Sequence, residues 1–396
     1  MNPSKSNWIT KYFSETVTSF QNEVDEIELY KKIRKSGFIY GYTTSVPFKE
    51  IPQEKWTNEE MTKIVLIHSL FKTYVSTTQS SDIDLFFKNV KAFYDVISTY
   101  KANLFFSYIL PSSNGIKQSL EKIIDQRVQN ASNIVEKSFS HSLTNALLFI
   151  DIVSFKRYLH NETEVLDFFK HLEKTLLNLV YLAYNEKSVK TKYDEIIQRI
   201  FENSLRFSAK DLATKSFDEI DFNVFITYFG RNYILDITNM VMWRDEILEE
   251  NELEFLKQVG KKLYLTNEDI IESNCAIKHF IETNKHEIPY FQFAHPVKKF
   301  YKHTSSSILL LLERNKNILA KELKNNKELV YLLAKSTHKN LDEKERKHIK
   351  KQLIELCKTI PSLTIFVLPG GSLLLPILIK LIPQILPSTF NENLEE

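Results

Sequence analysis

IPSLTIFVLPGGSLLLPILIKLIPQIL, running from Ile360 to Leu386, holds 27 residues and a single charge, Lys380. Drawn as one straight helix it would be about 40 Å long, against about 30 Å for a bilayer core. Its prolines argue against a plain anchor. Pro369, Pro376 and Pro383 recur every seven residues, nearly two helical turns, so in one helix they would line one stripe. Each removes a backbone donor and strains the preceding turn. Gly370-Gly371 loosens the chain further. Broken helices are tolerated in membranes where protein buries them or where they line a cavity. Two geometries fit: one kinked span, or a re-entrant hairpin turning at Pro369–Ser372. How this stretch is read decides between a helical bundle tied to lipid and one that buries its own oily end.

A basic stretch precedes it. Between Pro296 and Lys358 stand 16 Lys and Arg against 7 Asp and Glu, a net of +9. The whole chain carries only +2, so residues 1–295 come out acidic, near −5, once Lys380 and the three Glu of residues 391–396 are included. Cationic flanks stay on the cytoplasmic side, and each Lys or Arg near anionic lipid is worth about 1 kcal/mol. The pattern predicts a cytoplasmic body anchored by its tail, with the lipid membrane as partner. Two helices are expected in the basic neck, about Ser305–Lys335 and Asp342–Thr359. Asn340 would cap the second, with Glu343 three residues on. On that second helix Ile349, Leu353, Leu356, Cys357 and Ile360 share a face, while Arg346, Lys347, Lys350, Lys351 and Lys358 carry the charge. Such a helix can lie at a membrane surface. It can also be a bundle helix with a solvated face, or a site for ribosomal RNA. No aromatic interleaving supports nucleic acid, and DNA is not an expected partner. The adjacent apolar segment tips the reading toward the membrane surface.

The first 300 residues read as helical. Period-3.6 segments run over Lys5–Lys35, Thr57–Ser76, Asp82–Ile109, Gly115–Leu159, Glu162–Glu186, Lys190–Phe207, Asp218–Leu248, Glu249–Tyr264 and Glu268–Thr283. Thr266, three residues before Asp269, resembles a capping box. PSSNG at Pro111–Gly115 marks a turn. The expected divisions are residues 1–110, a body at 115–295, the neck at 296–359, the apolar segment at 360–390 and an acidic tail at 391–396. Phe71-Lys72-x-Tyr74 with Phe86-Phe87-Lys88 is echoed by Phe155-Lys156-x-Tyr158 with Phe168-Phe169-Lys170, which suggests a duplicated helical hairpin or chance. The stretch 247–273, an acidic cluster, a helix and then Leu-x-Leu-x-x-x-Asp-Ile, resembles TerB-like domains of tellurite-resistance proteins. An exposed acidic helix followed by a capped one is the simpler account and the favoured one.

Composition excludes several classes. With 7 Gly in 396 residues, neither G-x-G-x-x-G nor a P-loop occurs. Turn clusters are too scarce for an all-β fold. Two cysteines, Cys275 and Cys357, indicate no disulfide framework. The N-terminal MNPSKSNWITKYFSETVTSF has no apolar core of a secretory signal. No H-E-x-x-H is present, and Cys275 with His279 are too few ligands for a metal. Gly370-Gly371-Ser372 lacks the frame of a hydrolase elbow. The chain is expected to be no enzyme and to need no cofactor.

LDEKERKHIKKQLIELCKTIPSLTIFVLPGGSLLLPILIKLIPQILPSTF, Leu341 to Phe390, resembles the LETM family, the leucine zipper and EF-hand transmembrane proteins. The proline ladder falls on Pro361, Pro369, Pro376, Pro383 and Pro387, the lysine on Lys380, and the closing motif on Leu386-Pro387-Ser388-Thr389-Phe390. Glu345-Arg346-Lys347 fits the family's basic approach helix. The resemblance implies a protein of the inner membrane concerned with cation–proton exchange, K⁺ or Ca²⁺, and with ribosome association. Self-association or another membrane protein are further partners in keeping with it. Three departures stand out. Ser372 occupies the place where family members commonly carry a membrane carboxylate. Gly370-Gly371 stands where the family is often bulkier. Only six residues follow the closing motif, and no EF-hand loop is present, so the likeness is to truncated bacterial relatives, some catalogued as biofilm-associated. Lys380 is the segment's one titratable group, and a lysine near an interface normally snorkels. The expectation is therefore an all-α body, a basic amphipathic neck and a Pro-interrupted membrane segment at the bacterial inner membrane. The alternative is a soluble all-helical scaffold with the Pro-rich end buried in its core.

Overall fold

In the computed structural model of the chain the described residues are 1–16, 25–48, 55–98, 115–129, 145–186, 216–242, 250–284, 309–338, 341–360, 363 and 375–386. Among them every regular element is helical and no strand occurs, so the fold is all-α. The body holds α1 (Trp8–Thr16), α2 (Glu26–Lys35), α3 (Asn58–Thr78), α4 (Ile83–Ser98), α5 (Ile116–Gln129), α6 (Phe149–His160), α7 (Val165–Glu186), α8 (Tyr228–Met242), α9 (Glu250–Lys262) and α10 (Asn267–Asn284). After it come α11 (Lys316–Lys324), α12 (Lys327–His338), α13 (Glu343–Thr359) and α14 (Leu375–Ile385).

Local chemistry sets the helix ends. Thr57 and Glu60 close a capping box on α3: the Glu60 amide donates to Thr57 Oγ1 at 3.2 Å, and the Thr57 amide to Glu60 Oε2 at 2.9 Å. Thr266 and Asp269 make the expected box at the head of α10, with the Thr266 amide 2.8 Å from Asp269 Oδ2. Each box satisfies two amides that the first turn would leave unpaired. Gly37 follows α2 at φ +82°, and a Cβ there would lie 2.3 Å from the Tyr42 carbonyl and 2.4 Å from the Phe280 ring. Only glycine combines that backbone with that approach.

One apolar core spans Trp8 to Ile281, drawing on both halves of the body. Helix α3 packs along α6, and α8 lies between α7 and α10. The aromatic echo falls on two helical hairpins, α3–α4 and α6–α7. Phe71 meets Phe86 edge-on at 5.0 Å, and Phe86 reaches Phe155 at 6.4 Å. Charged side chains lie inside this core as well, among them Arg127, Asp151 and Asp236. Arg127 donates through Nε and Nη2 to Asp151 at 2.9 and 2.5 Å, and Tyr94 adds a hydroxyl at 3.0 Å. Asp236 on α8 accepts from Tyr30 of α2 and Ser273 of α10, both at 2.5 Å. Burial pushes the Asp236 carboxyl up, against the opposing pull of Arg34, Ser273 and Tyr30.

Several expected helices differ. Lys5–Lys35 is interrupted at Asp25, which is extended and caps α2, and residues 17–24 lie outside the described residues. Of Gly115–Leu159, α5 and α6 are helical, a turn at Leu147 and Leu148 precedes α6, and residues 130–144 lie outside the described residues. The N-terminal part of Asp218–Leu248 is not continuous helix. After the 3-10 turn Phe217–Glu219, Ile220 is extended and the Asn223 amide closes on Asp221 Oδ1 at 3.0 Å, so α8 begins only at Tyr228. An Asx turn of this kind competes with helix for the same amides. Lys190–Phe207 and the tail 391–396 lie outside the described residues.

Candidate functional site

The C-terminal helices form a module with its own apolar core, from Leu311 to Leu386, separate from that of the body. Its construction departs from the expected long helix Ser305–Lys335. Residues 309–314 are helical, then Asn315 interrupts, α11 runs to Lys324, and Asn325 and Asn326 turn the chain into α12. The asparagine side chains supply the local bonds. Asn315 Nδ2 donates to the Leu311 carbonyl at 2.7 Å, and the Leu329 amide donates to Asn326 Oδ1 at 3.1 Å, capping α12. Helix α13 is capped by Asp342 with Glu345, not by Asn340 with Glu343. The Glu345 amide donates to Asp342 Oδ1 at 2.8 Å, and the Asp342 amide to Glu345 Oε2 at 3.0 Å. The Asp-x-x-Glu spacing was legible; Asn340 simply stands two residues too early.

The apolar stripe of α13 is buried as a whole. Ile349, Leu353, Leu356, Cys357 and Ile360 are all at or below 8% exposure. Helix α12 covers them, with Leu329, Val330 and Leu333 in the same cluster. A polar row fixes the register. Asn326 Nδ2 donates to Gln352 Oε1 at 2.5 Å, Gln352 meets His348 at 3.1 Å, and His348 lies 3.1 Å from Glu328. Lys335 of α12 pairs with Glu345 of α13, which raises the lysine and lowers the carboxyl. Burial pushes the Cys357 thiol up to about 12, so it stays protonated and packs as a small apolar group.

The outward side of α13 is cationic. Arg346, Lys347, Lys350, Lys351 and Lys358 are all exposed. Lys347 reaches Glu343 and Lys358 reaches Glu355, both at 2.8 Å, and Arg346 Nε donates to the Leu341 carbonyl at 3.0 Å. Lys350 and Lys351 have no carboxylate partner among the described residues. Exposed pairs at i,i+3 and i,i+4 are worth little, so all five charges remain available to a polyanion.

Of the proline ladder, Pro376 and Pro383 share α14. Pro376 falls in its first turn, where the missing amide would have no partner in any case. Pro383 lies inside the helix. Leu378, Ile382, Ile385 and Leu386 are buried, and α14 packs on α12. The apolar segment is not one unbroken helix from Ile360, because Ile360 itself is extended, at φ −115° and ψ 107°. Helix α14, at 11 residues, is about 16 Å long. No helix among the described residues is long and apolar enough to cross a membrane. Lys380 lies on α14, while Pro361, Pro369, Gly370, Gly371, Ser372, Pro387, Ser388, Thr389 and Phe390 lie outside the described residues.

Residues 341–396 match the family model described as LETM1-like, RBD. The C-terminal segment is related to the LETM family. That match begins at the cap of α13 and takes in α14, so it covers both the cationic face and the proline ladder, while the helical body stands outside it. No curated protein and no solved structure matches the chain. In the body, Cys275 and His279 are both exposed on α10, and the described residues hold no group of three or more His, Cys, Asp or Glu placed for a metal. Spacing alone gave no sign of the Asn326–Gln352–His348–Glu328 row, which depends on how the α11–α12 turn meets α13.

Proposed function

We propose that the protein is a LETM-type protein of the inner membrane, which serves membrane-linked assembly through residues 309–396 and holds its helical body in the cytoplasm. The observation that carries this reading is the division of α13. Its apolar stripe is committed to α12, which also packs the apolar, proline-interrupted α14, and its five exposed cations face outward. A face of that kind binds a polyanion without opening the module. The anionic leaflet gains about 1 kcal/mol per lysine, and ribosomal RNA offers a comparable density of phosphate. The LETM family is membrane-associated and is not a known enzyme family, in keeping with a non-enzymatic role. A part in cation–proton homeostasis rests on the family relationship and is tested by K⁺/H⁺ flux in proteoliposomes, wild type beside Pro376→Ala and Lys380→Ala. Flux no higher than in empty liposomes removes it.

The membrane reading is tested by carbonate washing of cell membranes. Retention of the full-length protein supports it, and quantitative release removes it. A second reading draws on the burial of Leu378, Ile382, Ile385 and Leu386 against α12. In it the chain is a soluble helical scaffold whose proline-rich end is an interior element. Release by carbonate, with α14 still protected from hydrogen exchange in detergent-free buffer, is the outcome that reading requires.

A further inference from the structure

Arg314 ends the helical turn of residues 309–314, whose Leu311 and Leu312 belong to the C-terminal core. Two residues beyond Leu312, its guanidinium reaches the body. Nη1 donates to both oxygens of Glu60, at 2.7 and 2.5 Å, and Nη2 donates to the Lys55 carbonyl at 2.6 Å. The Glu60 side chain is 1% exposed and that of Arg314 19%. Glu60 is already engaged at the head of α3. It closes the box with Thr57 and accepts from Ser4 Oγ at 2.7 Å. These are neutral donors, so Arg314 supplies the cation for a carboxylate withdrawn from water. Breaking a buried pair by removing one partner is far more disruptive than losing an exposed one. The apolar cores on either side of this contact are separate clusters.

We propose that Arg314 and Glu60 form a charge latch that fixes the C-terminal module on the body, and that the module is released as a folded unit when the latch opens. The device has a definite logic. Each side folds around its own apolar core, so neither needs the other for burial. Among the described residues they meet at an ion pair in which Nη1 of Arg314 engages both oxygens of the buried Glu60 carboxylate and Nη2 the Lys55 carbonyl, which favours one orientation and is screened by salt less than an exposed pair. Releasing it changes the position of the cationic face relative to the acidic body without unfolding either. The latch holds whether or not the module meets lipid.

The test uses the full-length chain with two spin labels. One sits at Cys275, which is exposed on α10; the other is introduced by Lys324→Cys on the exposed side of α11. Cys357 is buried and stays unlabelled. Wild type should give one narrow interlabel distance. Arg314→Gln should broaden it at least twofold, with the body still unfolding in one cooperative transition, and Arg314→Lys should fall between. Glu60→Gln should broaden it as well, and the double variant should be no broader than either single one, because both remove the same contact. If Glu60→Gln loosens α3 itself, Arg314→Gln decides alone, since it leaves the capping box intact. A narrow, unchanged distance in Arg314→Gln, or broadening that adds up in the double variant, overturns the latch.

Discussion

Leu378→Ala with Ile382→Ala separates the two readings of the apolar tail. Both side chains are buried, at 0% and 1%, one turn apart on the face of α14 that meets α12. Each truncation in a packed core costs about 2–5 kcal/mol, including the cavity left behind. The two share neighbours, so the sum falls short of additive, and about 4 kcal/mol is a conservative total. A module of about 78 residues is stable by roughly 4–12 kcal/mol on its own. The double variant should therefore bring the module to the edge of unfolding and leave the body, with its separate core, intact. The assay is hydrogen exchange of the full-length protein without lipid or detergent, read on peptides from α12 and α13 and, as a control, from α3 and α6. Protection in α12 should fall by about 10³-fold, the equivalent of 4 kcal/mol, with α3 and α6 unchanged. Undiminished protection in α12 would refute the reasoning: the apolar face of α14 would then not be what stabilises α12 and α13. If vesicle binding fell in the same variant, lipid would be its partner.

Neutralising Lys350 and Lys351 together, as Lys350→Gln with Lys351→Gln, removes two exposed cations that have no carboxylate partner among the described residues. Partition onto vesicles containing anionic lipid should weaken by about 30-fold, from about 1 kcal/mol per charge, and binding to purely zwitterionic vesicles should not change; equal loss on both would remove the electrostatic account. Arg127→Met leaves Asp151 buried and short of its cation, and should cost about 3–5 kcal/mol in urea unfolding. Arg127→Met with Asp151→Leu should regain part of that loss, and a double variant as unstable as the sum of the singles would contradict it. Glu121 caps α1 by accepting from the Asn7 and Ile9 amides at 2.9 and 3.0 Å, and burial raises its carboxyl above the usual range despite those two bonds. Its folded form thus takes up a proton more readily than its unfolded form. Its contribution is greatest below the unfolded value and is lost as pH rises through the folded one. The stability of wild type relative to Glu121→Gln should therefore increase as pH falls from 7 toward 4.5, and a difference independent of pH would refute the burial argument.

What sequence reveals here follows the range of the interactions. Thr266 with Asp269 is a spacing of three, and it forms as read. The stripe Ile349, Leu353, Leu356, Cys357 and Ile360 is a single-helix pattern, and all of it is buried. The burying partner was not legible. An amphipathic helix looks the same whether its apolar side meets a bilayer or another helix, and here the described partner is α12. The breaks at Asn315 and at Asn325 and Asn326 were missed because hydrophobic periodicity runs across them. The asparagines act through side-chain bonds to backbone, which a period count does not see. The contacts of Arg314 with Glu60 and of Tyr30 with Asp236 span 254 and 206 residues. No local rule could pair them, although each residue taken alone is an ordinary surface type.

The proline ladder acquires a physical account from α14. Pro383 removes the amide that would bond the Ile379 carbonyl and strains the turn before it, a loss of about 3 kcal/mol in an ordinary helix interior. Four buried side chains, Leu378, Ile382, Ile385 and Leu386, each contribute about 1.5–3 kcal/mol relative to exposure. Burial thus outweighs the interruption by at least a factor of two, and the helix persists because protein packs against it rather than because its backbone is well bonded. That condition is the same one under which broken helices survive at membrane depth. A proline-interrupted helix stabilised this way depends on its partner in water and in lipid alike, so the quantity that distinguishes a membrane segment from an interior one is not the hydropathy of α14 but whether α12 stays on it when a bilayer is offered. Hydrogen exchange of α12 with and without anionic vesicles measures that directly. Loss of α12 protection on vesicle binding means α14 exchanges its protein partner for lipid. Retention means the module docks closed, by its lysines alone.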